Sequence, residues 1–204
     1  MGWRHLFVGR PPATATGENV YIRPPLRQDF REWAALRKAS REFLQPWEPV
    51  WSQDELSRAA FKARLRKADS DLREGNAFTF FIFDRKTHLL VGGISLGHVR
   101  YGVSMSGQIG YWMGEPHAGK GLMQDAVQIL VRYGFETVGL HRLEAACIPG
   151  NLRSVRVLEN TGFVREGLLK SYLKINGQWQ DHLLFARISG VTDERQKAVD
   201  ADGR

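Results

Sequence analysis

Between residues 110 and 124 the chain reads Gly-Tyr-Trp-Met-Gly-Glu-Pro-His-Ala-Gly-Lys-Gly-Leu-Met-Gln. An apolar, strand-like run gives way to a glycine-rich turn, and an amphipathic segment follows at once. Gly119 and Gly121 leave the backbone uncrowded where turn becomes helix. The first N–H groups of a helix have no partner within it, and the helix dipole puts positive potential in front of them. An anion suits that spot, and Lys120 adds a charge of the right sign. The expected occupant is a phosphate belonging to a larger cofactor. The plainer alternative is a strand–helix turn in which glycine only relieves strain.

Two common phosphate motifs fit poorly. Gly114 and the Gly119-Lys120 pair have P-loop spacing, but Gly121 stands where the Ser or Thr that holds magnesium is needed. The dinucleotide fingerprint G-x-G-x-x-G is half met, because Gln124 replaces its third glycine. That fingerprint also opens a repeated strand–helix pattern early in a chain, whereas this turn lies past the midpoint.

With 204 residues, 43% hydrophobic and 25% charged, the chain suits one domain with a sizeable core. No run of about 18 apolar residues is present, so no membrane span or membrane partner is expected. The N-terminal apolar stretch is too short for a signal peptide, and Leu6 stands where myristoylation needs Ser or Thr. The expected location is the cytoplasm. The single cysteine, Cys147, excludes an internal disulfide; it lies in an apolar run and reads as a buried side chain rather than a nucleophile. The six histidines lack paired-ligand spacing, and no metal site is expected. The net charge of +7 suits an acidic cofactor, the ribosome or RNA, but no block of five or six like charges forms a nucleic-acid arm.

Read in order, residues 1–17 are a loose arm and 20–23 a short strand ended by Pro24-Pro25. A helix is expected over 27–40, with Phe30, Trp33, Ala34, Leu36 and Arg37 on its stripe. Residues 42–51 are irregular and aromatic, either lining a cleft or plugging the core. A second helix is expected over 54–74, with Ser52 or Gln53 near its start and Gly75-Asn76 as its stop. Strands follow over 77–83, 88–96 and 106–113. The helix after Gly121 buries Leu122, Ala126, Ile129, Leu130 and Tyr133, an amphipathic stripe that ends near Gly139. A fifth strand covers 141–148. Asn151 caps a helix over 152–161, which Gly162 stops. Two antiparallel strands, 163–175 and 179–188, flank the Asn176-Gly177 hairpin signal, and 189–204 form a disordered tail. This is a mixed α/β fold with a central sheet and flanking helices.

The turn resembles the acetyl-coenzyme A signature of the GCN5-related N-acetyltransferase (GNAT) superfamily, Gln/Arg-x-x-Gly-x-Gly/Ala. Laid on residues 118–123, it keeps the central Gly121 and departs at Ala118 and Met123. Three further stretches extend the likeness: 151–163 resembles the family's N-x-x-S…L…G-F helix, and 170–184 and 41–50 resemble bacterial ribosomal-protein alanine N-acetyltransferases. The match covers about residues 18–188.

The resemblance implies the acyl-CoA N-acyltransferase fold, with a largely antiparallel sheet whose fourth and fifth strands splay apart around acetyl-CoA. It implies that the coenzyme's pyrophosphate takes backbone N–H groups of the turn formed by Ala118, Gly119, Lys120, Gly121, Leu122, Met123 and Gln124. The pantetheine arm would pair with the backbone of Tyr111, Trp112 and Met113, and Asn151 would serve as coenzyme ligand, helix cap or both. The glutamate of some relatives falls at Ala146 and the usual tyrosine acid at Leu158, so the standard acid–base pair is missing. Ser154 is the expected replacement beside the coenzyme sulfur, with an ordinary first-turn serine as the plain reading. Glu48 is a candidate base or amine anchor, and Trp47, Glu48 and Tyr172 are candidate acceptor contacts. The implied activity is transfer of acetyl from acetyl-CoA to a protein N-terminal α-amine, with alanine on a small-subunit ribosomal protein as the expected acceptor and a monomer or homodimer as the working form. Acetylation of a small-molecule amine or a lysine is a second reading. A non-catalytic, basic ribosome- or RNA-binding protein is a third.

Overall fold

The computed structural model describes residues 14–190. Its sheet has eight strands in the order β1-β2-β3-β4-β5-β6-β8-β7. In chain order these are β1 (Ala15–Thr16), β2 (Val20–Arg23), β3 (Phe78–Asp84), β4 (Leu90–Arg100), β5 (Ser106–Met113), β6 (Arg142–Cys147), β7 (Val164–Ile175) and β8 (Gln178–Ile188). The helices are α1 (Phe30–Ala39), α2 (Arg41–Leu44), α3 (Arg58–Glu74), α4 (Leu122–Arg132) and α5 (Leu152–Asn160). All pairings are antiparallel except β5 with β6.

Both faces of the sheet are covered, which explains why β3 reads as almost unbroken hydrophobicity. Phe78, Phe80 and Ile82 point into the main core with Ala126, Ile129 and Leu130 of α4. Phe81 and Phe83 point the other way, into a second core with Trp33 of α1 and Phe61 of α3. The expected α4 stripe is buried at every position, from Leu122 to Tyr133. Beyond Arg132 the helix widens into a π turn, Tyr133–Thr137.

Several boundaries differ from the sequence reading. The arm expected over 1–17 is ordered at its end, because Ala15–Thr16 pairs with β2; residues 1–13 lie outside the described residues. The second helix starts four residues late. Ser57, not Ser52 or Gln53, is its cap, and Ser57 Oγ accepts the Ala60 N–H at 3.1 Å. The segment 42–51 is not wholly irregular: α2 and a 3₁₀ turn, Gln45–Trp47, carry it past Pro46. β4 runs to Arg100, four residues beyond expectation. Of the expected tail, 191–204 lie outside the described residues.

The feature that positions the site is the parallel β5–β6 pair. It holds for only three steps, Ser106↔Arg142, Gly107↔Leu143 and Gln108↔Glu144. Beyond them β5 stays with β4 as far as Met113↔Gly92, and β6 stays with β8 as far as Cys147↔Leu183. The sheet therefore splits between Ile109–Met113 and Ala145–Cys147, the strands read from sequence as the fourth and fifth. At the closed end Arg142 ties the strands down. It donates to Glu144 at 2.7 Å and to both carboxylate oxygens of Glu166 on β7.

Candidate active site

The split opens into a cavity of about 510 Å³. Tyr111, Trp112 and Met113 of β5 form one wall, and Ala145, Ala146 and Cys147 of β6 form the other. Edge N–H and C=O groups that face a gap need a partner, so a split of this kind suits a ligand with its own amides.

One end of the cavity is the glycine turn. A 3₁₀ turn over Glu115–His117 leads into Gly119 (φ 77°) and Gly121 (φ 76°), both left-handed, and Gly121 is the residue before α4. A side chain at either position would meet no atom within 4 Å, so glycine is required there by backbone conformation and not by crowding. Ala118, Gly119, Lys120, Gly121, Leu122, Met123 and Gln124 all line the cavity. Lys120 is partly diverted: its Nζ donates to the Pro116 carbonyl at 2.8 Å, which ties it to the turn. Burial, and then the Lys120 charge, push the His117 imidazole below its ordinary value. Asp125, in the first turn of α4, would weaken an anion site if left free. Its carboxylate instead accepts the N–H groups of Glu18, Asn19 and Val20 at 3.2, 2.6 and 3.0 Å.

α5 closes the cavity. Asn151 acts as its cap, with Oδ1 accepting the Ser154 N–H at 3.2 Å. Ser154 Oγ lies 2.8 Å from the hydroxyl of Tyr111, so the two side chains bridge the split. The sequence reading used only the backbone of Tyr111 and missed its hydroxyl. Burial drives that phenol well above its ordinary range, so it stays protonated and able to donate. Cys147 sits nearby. Burial pushes its thiol up and the Ser154 hydroxyl draws it partly back, which favours the thiol over the thiolate. Leu158 and Ala146 both line the cavity, and as apolar side chains neither supplies an acid or base.

Phe43, Trp47 and Glu48, on and after α2, roof the other face. Glu48 is held firmly. Arg37 donates to both of its oxygens at 2.9 and 2.6 Å, and Trp51 Nε1 donates to Oε2 at 2.7 Å. Its own carbonyl accepts the Asn176 N–H at 2.9 Å, which fastens the roof to the β7–β8 hairpin. Arg37 is 7% exposed and lies over Trp51 and Trp112, with ring centroids 4.4 and 4.9 Å from its guanidinium carbon. Read from sequence as part of a helical stripe, Arg37 is the keystone of this wall. Tyr172 is not in the cavity lining. It packs against His182, which does line the cavity and which the 170–184 likeness included without assigning it a role.

Among the described residues no group of three or more His, Cys, Asp or Glu could hold a metal ion, and no helix is long and apolar enough to cross a membrane.

Comparison with known proteins fits this geometry. Residues 19–164 match the family model of the acetyltransferase (GNAT) domain. The ribosomal protein uS5-alanine N-acetyltransferase of Escherichia coli (strain K12) is 34% identical over 176 residues, covering 86% of this chain and 91% of the relative. The structure of Mycobacterium smegmatis RimJ in complex with CoA-disulfide superposes with a TM-score of 0.84 at 31% identity, covering 94% of this chain and 96% of that one. The ribosomal-protein-S5-alanine acetyltransferase of Vibrio fischeri gives 0.81 at 32%, covering 88% and 98%. A chain whose sheet splits beside a glycine turn, and which matches these proteins over most of its length, belongs to the GNAT acetyltransferase family and is an N-acetyltransferase that draws on acetyl-CoA.

Proposed function

We propose that the enzyme acetylates the N-terminal α-amine of a protein, with an N-terminal alanine on a small-subunit ribosomal protein as the acceptor. The observation that carries this reading is the 34% identity, over 86% of the chain, with an enzyme named for uS5 alanine. The net charge of +7 supports a ribosomal or nascent-chain setting.

The coenzyme's pyrophosphate would sit on the N–H groups of the Gly119–Gly121 turn and the start of α4, and its pantetheine amides on Tyr111, Trp112 and Met113. The Asn151 amide nitrogen stays available to a ligand while its oxygen caps α5. Attack requires a neutral amine. An α-amine with a pKa near 8 is partly neutral at cellular pH, whereas a lysine near 10.4 is almost entirely charged. The nitrogen lone pair adds to the thioester carbon, and the intermediate collapses with loss of the thiolate. Ser154, backed by the Tyr111 hydroxyl, donates the proton to sulfur. Of the two roles considered for Glu48, its geometry supports the anchor. Three donors on its two oxygens hold it in place, and it keeps a carboxylate beside the acceptor path.

Thiol release from acetyl-CoA, followed by mass spectrometry of the product, tests the reading on peptides beginning with Ala, Ser or Met and on an N-terminally blocked lysine peptide. Turnover on free N-terminal alanine and none on the blocked peptide is expected. Acetylation of the blocked peptide, or of small amines alone, would overturn it.

A further inference from the structure

His182, on β8, is 3% exposed, yet it lines the catalytic cavity. Its Nδ1 lies 2.9 Å from the Gln180 carbonyl. A carbonyl can only accept, so Nδ1 carries the proton and Nε2 of the neutral ring carries a lone pair. Among the described residues Nε2 has no hydrogen-bond partner, and it is not one of the sealed, unpaired atoms of the interior. The little access that the ring keeps is therefore to the cavity. We propose that His182 Nε2 is the general base that takes the proton from the acceptor amine. This rests on the preceding reading that Glu48 lies beside the path of an acceptor amine.

The placement suits the task. The β6–β8 ladder ends at Cys147↔Leu183, and His182 is the next residue along β8, level with the mouth of the split. Side chains alternate along a strand. Leu183 and Phe185 pack into the main core with α4 and α5, so His182 faces the opposite side, toward Trp47 and Glu48. Ser154 approaches from the α5 side. Base and acid thus reach the split from different faces, so the amine proton and the departing sulfur of the tetrahedral intermediate are served by separate groups.

The ring is also held in place. Tyr172 packs edge-on against it, with centroids 5.6 Å apart at 71°. A bulge in β7, between Leu169 and Leu173, swings Tyr172 into that position. The bulge is itself pinned: Ser171, at φ 44°, donates its N–H to Asp181 at 2.8 Å, and Lys170 Nζ donates to the same carboxylate at 2.9 Å. The ionisable groups around the imidazole are thus Tyr172 on β7, the Asp181–Lys170 pair behind it, and the Arg37–Glu48 pair on the roof.

In the reaction, the neutral amine forms the N–C bond while Nε2 accepts one N–H proton. The carbonyl electron pair moves to oxygen and returns as the C–S bond breaks. The thiolate takes its proton from Ser154 as Ser154 takes one from solvent, and the imidazolium releases its own to solvent, so both side chains end as they began. An N-acetyl amide and free coenzyme thiol result.

His182→Asn keeps a donor for the Gln180 carbonyl and removes the Nε2 lone pair; His182→Ala leaves room for a small base. Both variants are measured on whichever acceptor the wild type acetylates, alongside acetyl-CoA affinity and melting temperature. The expected result is a kcat loss of about 100-fold with coenzyme affinity within about twofold. Added imidazoles should restore His182→Ala in order of their basicity. A kcat within about threefold of wild type in both variants, a parallel loss of coenzyme affinity, or no rescue would overturn the proposal. A wild type inactive on every acceptor would defeat the acceptor reading and this one together, whereas active variants would defeat this one alone.

Discussion

At the scale of single residues, the pair that matters most is Ser154 and Tyr111, whose hydroxyls meet at 2.8 Å across the split. If Ser154 protonates the leaving thiolate, Ser154→Ala should lower kcat by about 10- to 100-fold and leave acetyl-CoA affinity nearly unchanged. Steady-state kinetics with calorimetric binding checks both; an unchanged kcat would return Ser154 to the plain role of a first-turn helix residue. Tyr133 makes the opposite case. Its hydroxyl is buried without a partner among the described residues, while its ring packs edge-on against Phe78 and Phe80. Tyr133→Phe keeps the ring contacts and removes an unpaired polar atom, so it should stabilise the fold by about 1 kcal/mol in urea titration. The local turn was legible from Gly119 and Gly121, because their backbone demand is written in residue type. The Ser154–Tyr111 bridge was not, because it joins positions 43 residues apart that no local pattern connects.

At the scale of elements, α4 shows how a site is kept in register with the rest of the fold. Its first turn is moored to the β1–β2 connection by Asp125, whose carboxylate accepts three backbone N–H groups. Gly17 is needed beside it, since a Cβ there would lie 2.2 Å from Asp125 Oδ1. Asp125→Ala should cost about 1–2 kcal/mol of stability and weaken coenzyme binding through a less firmly held helix start; denaturation and calorimetry test the two effects separately. The closed end of the split depends on Arg142 with Glu144 and Glu166. Arg142 holds the Glu166 carboxyl below its ordinary value of 4.5. A depressed carboxylate contributes stability that is fully present above the unfolded value and is lost as pH falls through the folded one. The wild-type melting temperature should therefore drop more steeply below pH 4.5 than that of Glu166→Gln; parallel curves would show that the clasp does not hold the strands. Helix stripes such as that of α4 were legible because burial follows the helical period. The start of α3 was misplaced because Ser52 and Ser57 are equally good caps in sequence, and only packing chooses between them.

At the scale of the whole molecule, the order of elements was enough to expect a mixed sheet, and the family resemblance implied its opening between two strands. The roof was not. Arg37 reads as part of a helical stripe, yet it ties Glu48 and Trp112 of the cavity lining to Trp51. His182 reads as one polar position in a strand, and only the β7 bulge and the end of β6 bring it to the cavity. The most direct test of the central claim, that the β5–β6 split is the coenzyme site, is a crystal structure with acetyl-CoA bound. It should show the pyrophosphate against the N–H groups of Gly119 to Gln124, the pantetheine along Tyr111, Trp112 and Met113, and the sulfur beside Ser154. A coenzyme seated elsewhere, with the split empty and the Tyr111–Ser154 bridge unchanged, would contradict it.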